Sequence, residues 1–269
     1  MVLNKKYVYQ QTIEGTTKAV EVESKFKIKI KTEITLLEQK NNGDRRYFIK
    51  ELEYELIQYE DAILTAITEM TNKICSIYKE LDITVNRFGN IEKINNIYHI
   101  NKEWEKVKEW LINTHPLESY KIIRGIEFEL KEEKFMFKNI QYIHFIHQYF
   151  FLLGRALEPN LHTIFKKNEM DQFGSGVIIP LKITSIGKNT ENNNYEKVFH
   201  SEMELSPETI KRLKESVNDK SMQPTFFLNG KYYYNDKREL DYSGFSLKEE
   251  LGKNYSTHSY LEMKLIEII

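Results

Sequence analysis

One segment of the chain is so apolar and aromatic that the other elements must be arranged to cover it. It runs from Lys134 to Gly154 (KFMFKNIQYIHFIHQYFFLLG) and has no clean polar face at either the helical or the strand period. A helix that is apolar all round is normally buried, so we predict a central buried helix here. Its most apolar part, Ile140 to Leu153, is interrupted by two glutamines and two histidines. It is shorter than the roughly 20 apolar residues that a membrane span needs, and we predict no transmembrane span.

The N-terminal part carries the clearest strand pattern. Between Val20 and Ile34, apolar residues alternate with lysine and glutamate, which predicts a long antiparallel strand with one buried and one solvated face. After the turn signal at 41–44 (NNGD), the return strand 45–58 carries a row of glutamates. We expect this row to lie beside the lysine row of the first strand. The alternation places Leu52 on the face opposite Glu51.

The order of these patterns predicts the fold class. A strand block at 4–58 is followed by a helical middle at 60–154 and a second strand block at 177–269. Segregated strands and helices are typical of an α+β fold. We predict a single domain, 1–269, with one large antiparallel sheet, curved or strongly twisted, built from both strand blocks. The helical middle packs on this sheet.

Glycines and prolines mark the predicted boundaries between elements. The pairs Gly15-Thr16, Asn229-Gly230 and Ser243-Gly244 are interpreted as turns, and the segment between Gly154 and Gly176 as a connection. Ser206 followed by proline is typical of a helix start.

Composition excludes several classes of function. The chain has 39 basic and 40 acidic residues, a net charge of −1, so it lacks the basic excess of a nucleic-acid binder. Cys75 is the only cysteine, which excludes intrachain disulfides and zinc sites with several thiolates. Its apolar neighbours predict a buried structural thiol. The first residues lack the apolar core of a secretory signal, which predicts a cytoplasmic protein, or a periplasmic one if a signal has been removed.

No assembled catalytic or cofactor motif is recognisable in the sequence. We find no nucleophile elbow, phosphate-binding glycine loop or dinucleotide fingerprint, and we predict no cofactor and favour a non-enzyme. His144 and His147 stand three residues apart and are the candidate metal ligands, with Glu158 or His162 as a third ligand if the chain turned back. The alternative is a pair of core histidines that are satisfied by hydrogen bonds.

A second aromatic cluster lies in the C-terminal strand block. It comprises Phe227, Tyr232, Tyr233 and Tyr234. Aromatics on alternating faces of a strand could form a contact surface for a protein partner. The alternative is that they follow from β-propensity and core packing.

The outline of long antiparallel strands with apolar helices resembles the half-barrel lipoprotein carriers of bacteria. Those proteins use a curved sheet, closed by helices, to shelter acyl chains. The resemblance implies a ligand cavity lined by residues such as Phe145, Tyr149 and Phe150. A bacterial source also fits the lysine-, asparagine- and isoleucine-rich composition.

Three hypotheses of function follow. The first is a non-catalytic bacterial binding or assembly protein that acts through protein–protein contacts. The second is a carrier of a hydrophobic ligand, a lipid or acyl chain, in a half-barrel-like sheet closed by helices. The third is a metal-dependent hydrolase that uses His144 and His147.

Overall fold

Antiparallel strands make up most of the protein. The structure is a computed structural model that describes residues 1–59, 62–152, 161–173, 176–190, 193–219 and 222–269. The strands, in chain order, are β1 (Lys6–Ala19), β2 (Val22–Gln39), β3 (Arg45–Tyr59), β4 (Glu80–Val85), β5 (Ile91–Ile94), β6 (His162–Met170), β7 (Ile178–Asn189), β8 (Tyr195–Met203), β9 (Pro224–Tyr234), β10 (Leu240–Leu251) and β11 (Tyr255–Ile268).

Most of the helices lie between β3 and β6. The helices are α1 (Ala62–Cys75), α2 (Ile97–Thr114), α3 (Pro116–Leu130), α4 (Glu133–Ile140), α5 (His144–Phe150) and α6 (Pro207–Ser216). A short 3₁₀ turn, Ser76–Tyr78, follows α1. The start of α6 is the predicted one, because the hydroxyl of Ser206 accepts a hydrogen bond from the backbone N–H of Thr209 at 3.1 Å.

All eleven strands belong to one antiparallel sheet. Their order is β5-β4-β3-β2-β1-β11-β10-β9-β8-β7-β6. The first and last strands of the chain pair with each other, from Tyr7 opposite Ile268 to Ala19 opposite Tyr255. This pairing joins the two strand blocks into one open sheet with β5 and β6 at its edges. The predicted α+β fold, with a helical middle packed on a large antiparallel sheet, is confirmed.

The sheet must curve strongly around α5. The ring of Phe150 lies 5.1 Å from that of Tyr47 on β3, and the ring of Phe151 lies 6.4 Å from that of Phe165 on β6. These strands are eight steps apart in the sheet, which is about 38 Å along a flat surface at about 4.8 Å per step. Two neighbouring residues can contact both strands only because the sheet wraps around them.

The predicted single helix of 134–154 is wrong, because the segment folds as two short helices. The backbone of Ile143 is extended, with φ −57° and ψ 127°, and it redirects the chain between α4 and α5. The break gives each helix its own orientation. Two short helices can therefore bury apolar side chains that one straight helix would present on all its sides. Residues 153 and 154 lie outside the described part of the chain.

The glycine pairs predicted as turns lie inside strands. A Cβ atom on Gly15 would approach the carbonyl oxygen of His258 to 2.3 Å, and one on Gly230 would approach Cε1 of Phe199 to 2.6 Å. These positions need glycine because neighbouring groups come too close for any side chain. Gly244 likewise lies within β10. The turn between β1 and β2 lies instead at Val20, whose φ is +59°.

The predicted connection between Gly154 and Gly176 contains the edge strand β6. This strand has few apolar residues, and Lys166 is exposed on it. Polar and charged residues are typical of edge strands, where they discourage pairing with other chains. The same polarity hides the strand from a search for alternating apolar residues.

A smaller apolar cluster at one end of the sheet borders a buried carboxyl group. The cluster is Val177, Leu213, Met222 and Leu251. Glu249, two residues before Leu251 on β10, is fully buried and accepts a hydrogen bond from the backbone N–H of Gln172 at 2.6 Å. Burial raises the pKa of Glu249 to about 7, and the nearby Asp171 raises it further, while the Gln172 hydrogen bond opposes the shift.

This raised pKa predicts a pH-dependent gain from Glu249→Gln. The folded state favours the protonated acid, so the stability from this group is complete below its ordinary pKa of 4.5 and is lost as the pH rises through about 7. The amide is neutral throughout and can accept the same hydrogen bond. We expect the variant to be more stable than wild type by up to about 3 kcal/mol at pH 8 and equally stable near pH 4.

Denaturant unfolding of both proteins at the two pH values would check this. Glu267→Gln, at an exposed position on β11, is the matched control and should change stability little at either pH. An equal effect of both substitutions at pH 8 would contradict the assignment to the buried carboxyl group.

Candidate functional site

A cleft of about 590 Å³ opens between α1 and the inner face of the sheet. One wall is formed by β2 and β3, another by α1 and the 3₁₀ turn, and the end by α3, α4 and the start of α5. Met170 of β6 also lines it, so strands from both halves of the curved sheet reach the same space. The apolar lining residues are Ile28, Ile30, Tyr54, Ile67, Ile74, Ile77, Tyr78, Ile126, Tyr142, Ile143 and Met170.

Helix α1 contributes an apolar side that the protein does not fill. None of its described side chains, residues 65–75, is buried. Ile67 and Ile74 line the cleft, and the side chain of Ile67 is 48% exposed, while Met70 packs against the core. Apolar residues at this three- and four-residue spacing normally cover a core. Here two of the three border open space.

A β-bulge sets which residues of β3 reach the cleft. The pairing of β2 with β3 skips a residue between Lys31, opposite Glu53, and Thr32, opposite Glu51. The skip turns Leu52 outward, where it is 40% exposed, and brings Glu51 to the cleft. The predicted faces of these two residues are therefore wrong. The predicted charged rows do lie side by side, with Lys31 Nζ 3.5 Å from Glu53 Oε1.

Polar groups stand at the border of the apolar lining. Lys79 Nζ lies 3.4 Å from Glu51 Oε1, and Asn139 Nδ2 donates to Glu129 Oε2 at 2.7 Å. Burial raises the pKa of Glu51, and the lysine opposes this shift. Partly buried polar groups that are already paired with each other can orient a ligand without being left unsatisfied.

Cys75 lines the cleft and is exposed there, so the predicted burial of this thiol is wrong. Its surroundings still affect its chemistry. Desolvation by nearby protein raises the pKa of the thiol, and the Glu51 carboxylate raises it further. The thiol is therefore protonated and poorly nucleophilic at neutral pH. As the only cysteine of the chain, it offers a single reporter position inside the cleft.

The two candidate metal ligands have different surroundings. His147 Nε2 lies 2.9 Å from Glu169 Oε1, and both side chains are largely buried. His144 lines the cleft, where burial lowers its pKa to about 4 and the neighbouring His147 lowers it further, so its ring is neutral at pH 7. Within the described ranges, no group of three or more histidine, cysteine, aspartate or glutamate residues could hold a metal ion. His162 is exposed on β6, and Glu158 lies outside the described residues.

The three residues predicted to line a ligand cavity are packed in the interior. Phe145, Tyr149 and Phe150 are 3%, 8% and 2% exposed, and the cleft is lined by other residues. The rings of Phe145 and Tyr149 lie 5.9 and 5.5 Å from that of Tyr9 on β1. In this structure they attach α5 to the sheet.

The aromatic cluster of β9 is divided between the two faces of the sheet. Tyr232 is fully buried and donates its hydroxyl to the backbone carbonyl of Gln148 at 2.6 Å. Tyr234 stacks beside it, with ring centroids 6.1 Å apart. Phe227 lies on the outer face and is 48% exposed, and Tyr233 packs there against Tyr242.

Comparison with known proteins gives a likeness of fold. No protein-family model and no curated protein matches the chain. The fold is similar to part of lipovitellin, whose solved structure concerns lipid–protein interactions, with a TM-score of 0.54 and 11% identical residues. All of this chain is matched, against 26% of the lipovitellin chain, so it spans about a quarter of that protein.

The helices were also compared with the requirements of a membrane span. Across the described residues, none combines the length and the apolar content that crossing a bilayer requires.

Proposed function

We infer that this protein binds a hydrophobic small molecule, a lipid or acyl chain, in the cleft beneath α1. The observation that carries the proposal is the apolar side of α1. Its isoleucines border a space of about 590 Å³ that protein side chains do not occupy. This volume lies in the range of about 300–1,000 Å³ that is typical of small-molecule sites. An acyl chain in this space would cover the isoleucines.

The composition of the lining fits an amphiphile with one apolar and one polar end. Isoleucines from β2 and α1 would contact the chain, and the Glu51–Lys79 and Glu129–Asn139 pairs would contact polar atoms. Each buried methylene contributes about 0.8 kcal/mol, so ten of them contribute roughly 8 kcal/mol before the costs of ordering. A net dissociation constant weaker than about 1 μM follows for a simple fatty acid.

The likeness to lipovitellin supports the same class of ligand. Both proteins contain a large sheet of this topology, and the lipovitellin structure concerns lipid–protein interactions. The likeness itself is one of fold. The proposal therefore depends on the lining of the cleft and not on transferred residues.

Partial filling of the cleft predicts weaker binding. In Ile67→Trp the indole would occupy space that about two methylenes of a ligand would use, which should weaken binding of a fluorescent fatty acid about tenfold. The control is Ile112→Trp on α2, because Ile112 is 49% exposed and does not line the cleft, whereas Ile67 is 48% exposed and does. Titration of the fluorescent fatty acid would measure both affinities.

Cys75 gives a second readout that is independent of the probe. Bound fatty acid should slow the reaction of its thiol with a small alkylating reagent, since the thiol lines the cleft. If wild type takes up neither fatty acids nor phospholipids in native mass spectrometry, and Cys75 is not protected, the proposal is wrong.

Binding of another protein stays a prediction and is the second candidate function. The observation in its favour is Phe227, which is exposed on the outer face of β9, next to the paired tyrosines Tyr233 and Tyr242. Sizing of the protein in native extract would test it, since an isolated monomer with no co-purifying partner would count against it.

A further inference from the structure

The outer side of α3 carries an exposed stripe of apolar and basic residues. At about 100° per residue, five positions fall within an arc of about 100°. These residues, called the α3 stripe, are Leu117, Tyr120, Lys121, Arg124 and Phe128, and all five are exposed. The exposure of the three apolar members is large: 90% for Leu117, 70% for Tyr120 and 60% for Phe128.

The charge of the α3 stripe is uniformly positive. Neither Lys121 nor Arg124 forms an ion pair with any side chain that the structure describes. All acidic positions of α3 fall outside the arc. Two of them are engaged elsewhere, since Glu127 accepts from Lys108 of α2 and Glu129 accepts from Asn139 of α4.

The apolar surface continues onto α4. The ring of Phe135 lies 5.2 Å from that of Phe128, and the ammonium group of Lys134 lies 4.9 Å from the Phe135 ring. Aromatic and aliphatic side chains among exposed lysine and arginine are typical of helices that lie in a membrane interface. Their apolar side chains enter the headgroup region while the cations attract anionic lipids.

We propose that the α3 stripe docks the protein on the surface of a membrane that contains anionic lipids. The opposite side of the same helix contributes Ile126 and Glu129 to the cleft. A protein docked through α3 would therefore hold its ligand site next to the lipids. In this respect the inference rests on the proposed function, because it gives the proposed carrier a place to load and release its ligand.

Vesicle flotation tests the docking directly. Wild type should float with vesicles of phosphatidylcholine mixed with phosphatidylglycerol, float much less with phosphatidylcholine alone, and lose binding as salt is added. Leu117→Ser/Phe128→Ser should bind the mixed vesicles about tenfold or more weakly, because it removes the two bulky side chains that enter the interface. Lys121→Glu/Arg124→Glu should lose the preference for anionic vesicles.

The control is Tyr98→Ser at the start of α2. Tyr98 is 85% exposed and lies outside the α3 stripe, so its replacement should leave flotation unchanged. All these positions are exposed, so the variants should fold like wild type. Wild type that floats with neither kind of vesicle, or stripe variants that float like wild type, would overturn the proposal. A dimer that the stripe variants convert to monomer in sedimentation would also overturn it, since the stripe would then join two copies of the chain.

Fatty-acid titration without vesicles separates this inference from the proposed function. The stripe variants should bind the fluorescent fatty acid as tightly as wild type does. Wild type that floats but binds no fatty acid would remove the cleft function and leave the docking intact. Wild type that binds fatty acid but does not float would do the reverse.

Discussion

Replacing Phe145 by aspartate is expected to leave little soluble folded protein. Phe145 is 3% exposed and packs between Tyr9 of β1 and Tyr149 of α5. Removing a buried phenylalanine side chain costs roughly 3–5 kcal/mol, and an unpaired carboxylate in the same place adds a desolvation penalty. Since a typical domain is stable by only about 5–15 kcal/mol, this loss is a large share of the whole.

Thermal melts would check this expectation against Lys29→Asp. Lys29 is exposed on the outer face of β2, and its replacement should change stability by less than about 1 kcal/mol. A Phe145→Asp protein that melts at the wild-type temperature would mean that α5 does not hold the curved sheet together.

Gln148→Leu should destabilise the protein by about 3–5 kcal/mol through lost hydrogen bonds. The side chain of Gln148 is fully buried in α5 and bonds to three consecutive strands. Its Nε2 donates to the carbonyls of Ser243 on β10 and Leu261 on β11, and its Oε1 accepts from Gln11 Nε2 on β1 at 2.6 Å. Each buried polar group left without a partner costs about 1–3 kcal/mol.

A double variant separates hydrogen bonding from packing at this position. In Gln11→Leu/Gln148→Leu neither amide remains, so the loss should be smaller than the sum of the two single losses. Gln141→Leu, at an exposed position between α4 and α5, is the control and should be nearly neutral. Denaturant unfolding gives all four free energies. Additive losses would show that the two amides do not depend on each other.

The residues around Gln148 show why the sequence misleads about the central segment. Its aromatic and aliphatic residues correctly predict burial, and Phe145, Ile146 and Phe150 are in the core. They do not reveal the extended Ile143 that divides the segment into α4 and α5. Whether a helix continues depends on what each of its sides contacts, and those contacts come from strands more than 80 residues away in the chain.

The candidate cleft was also beyond local patterns. The isoleucines of α1 are visible in the sequence as a helical stripe, which ordinarily predicts core packing. Only the assembled structure shows that Ile67 and Ile74 border open space. Glu51 reaches the cleft because a bulge in the β2–β3 pairing reverses the alternation, and the position of a bulge depends on the register of two strands rather than on one.

The sequence by itself determined the elements whose signals are local. Period-2 alternation predicted the long strands, serine and proline predicted the start of α6, and the segregation of strands from helices predicted an α+β fold. The tertiary structure decided where the chain bends, which glycines lie inside strands, and which apolar side chains stay uncovered. The physical reason is that periodicity reports only that a face is apolar. What covers that face is decided by the packing of segments that are distant in the chain.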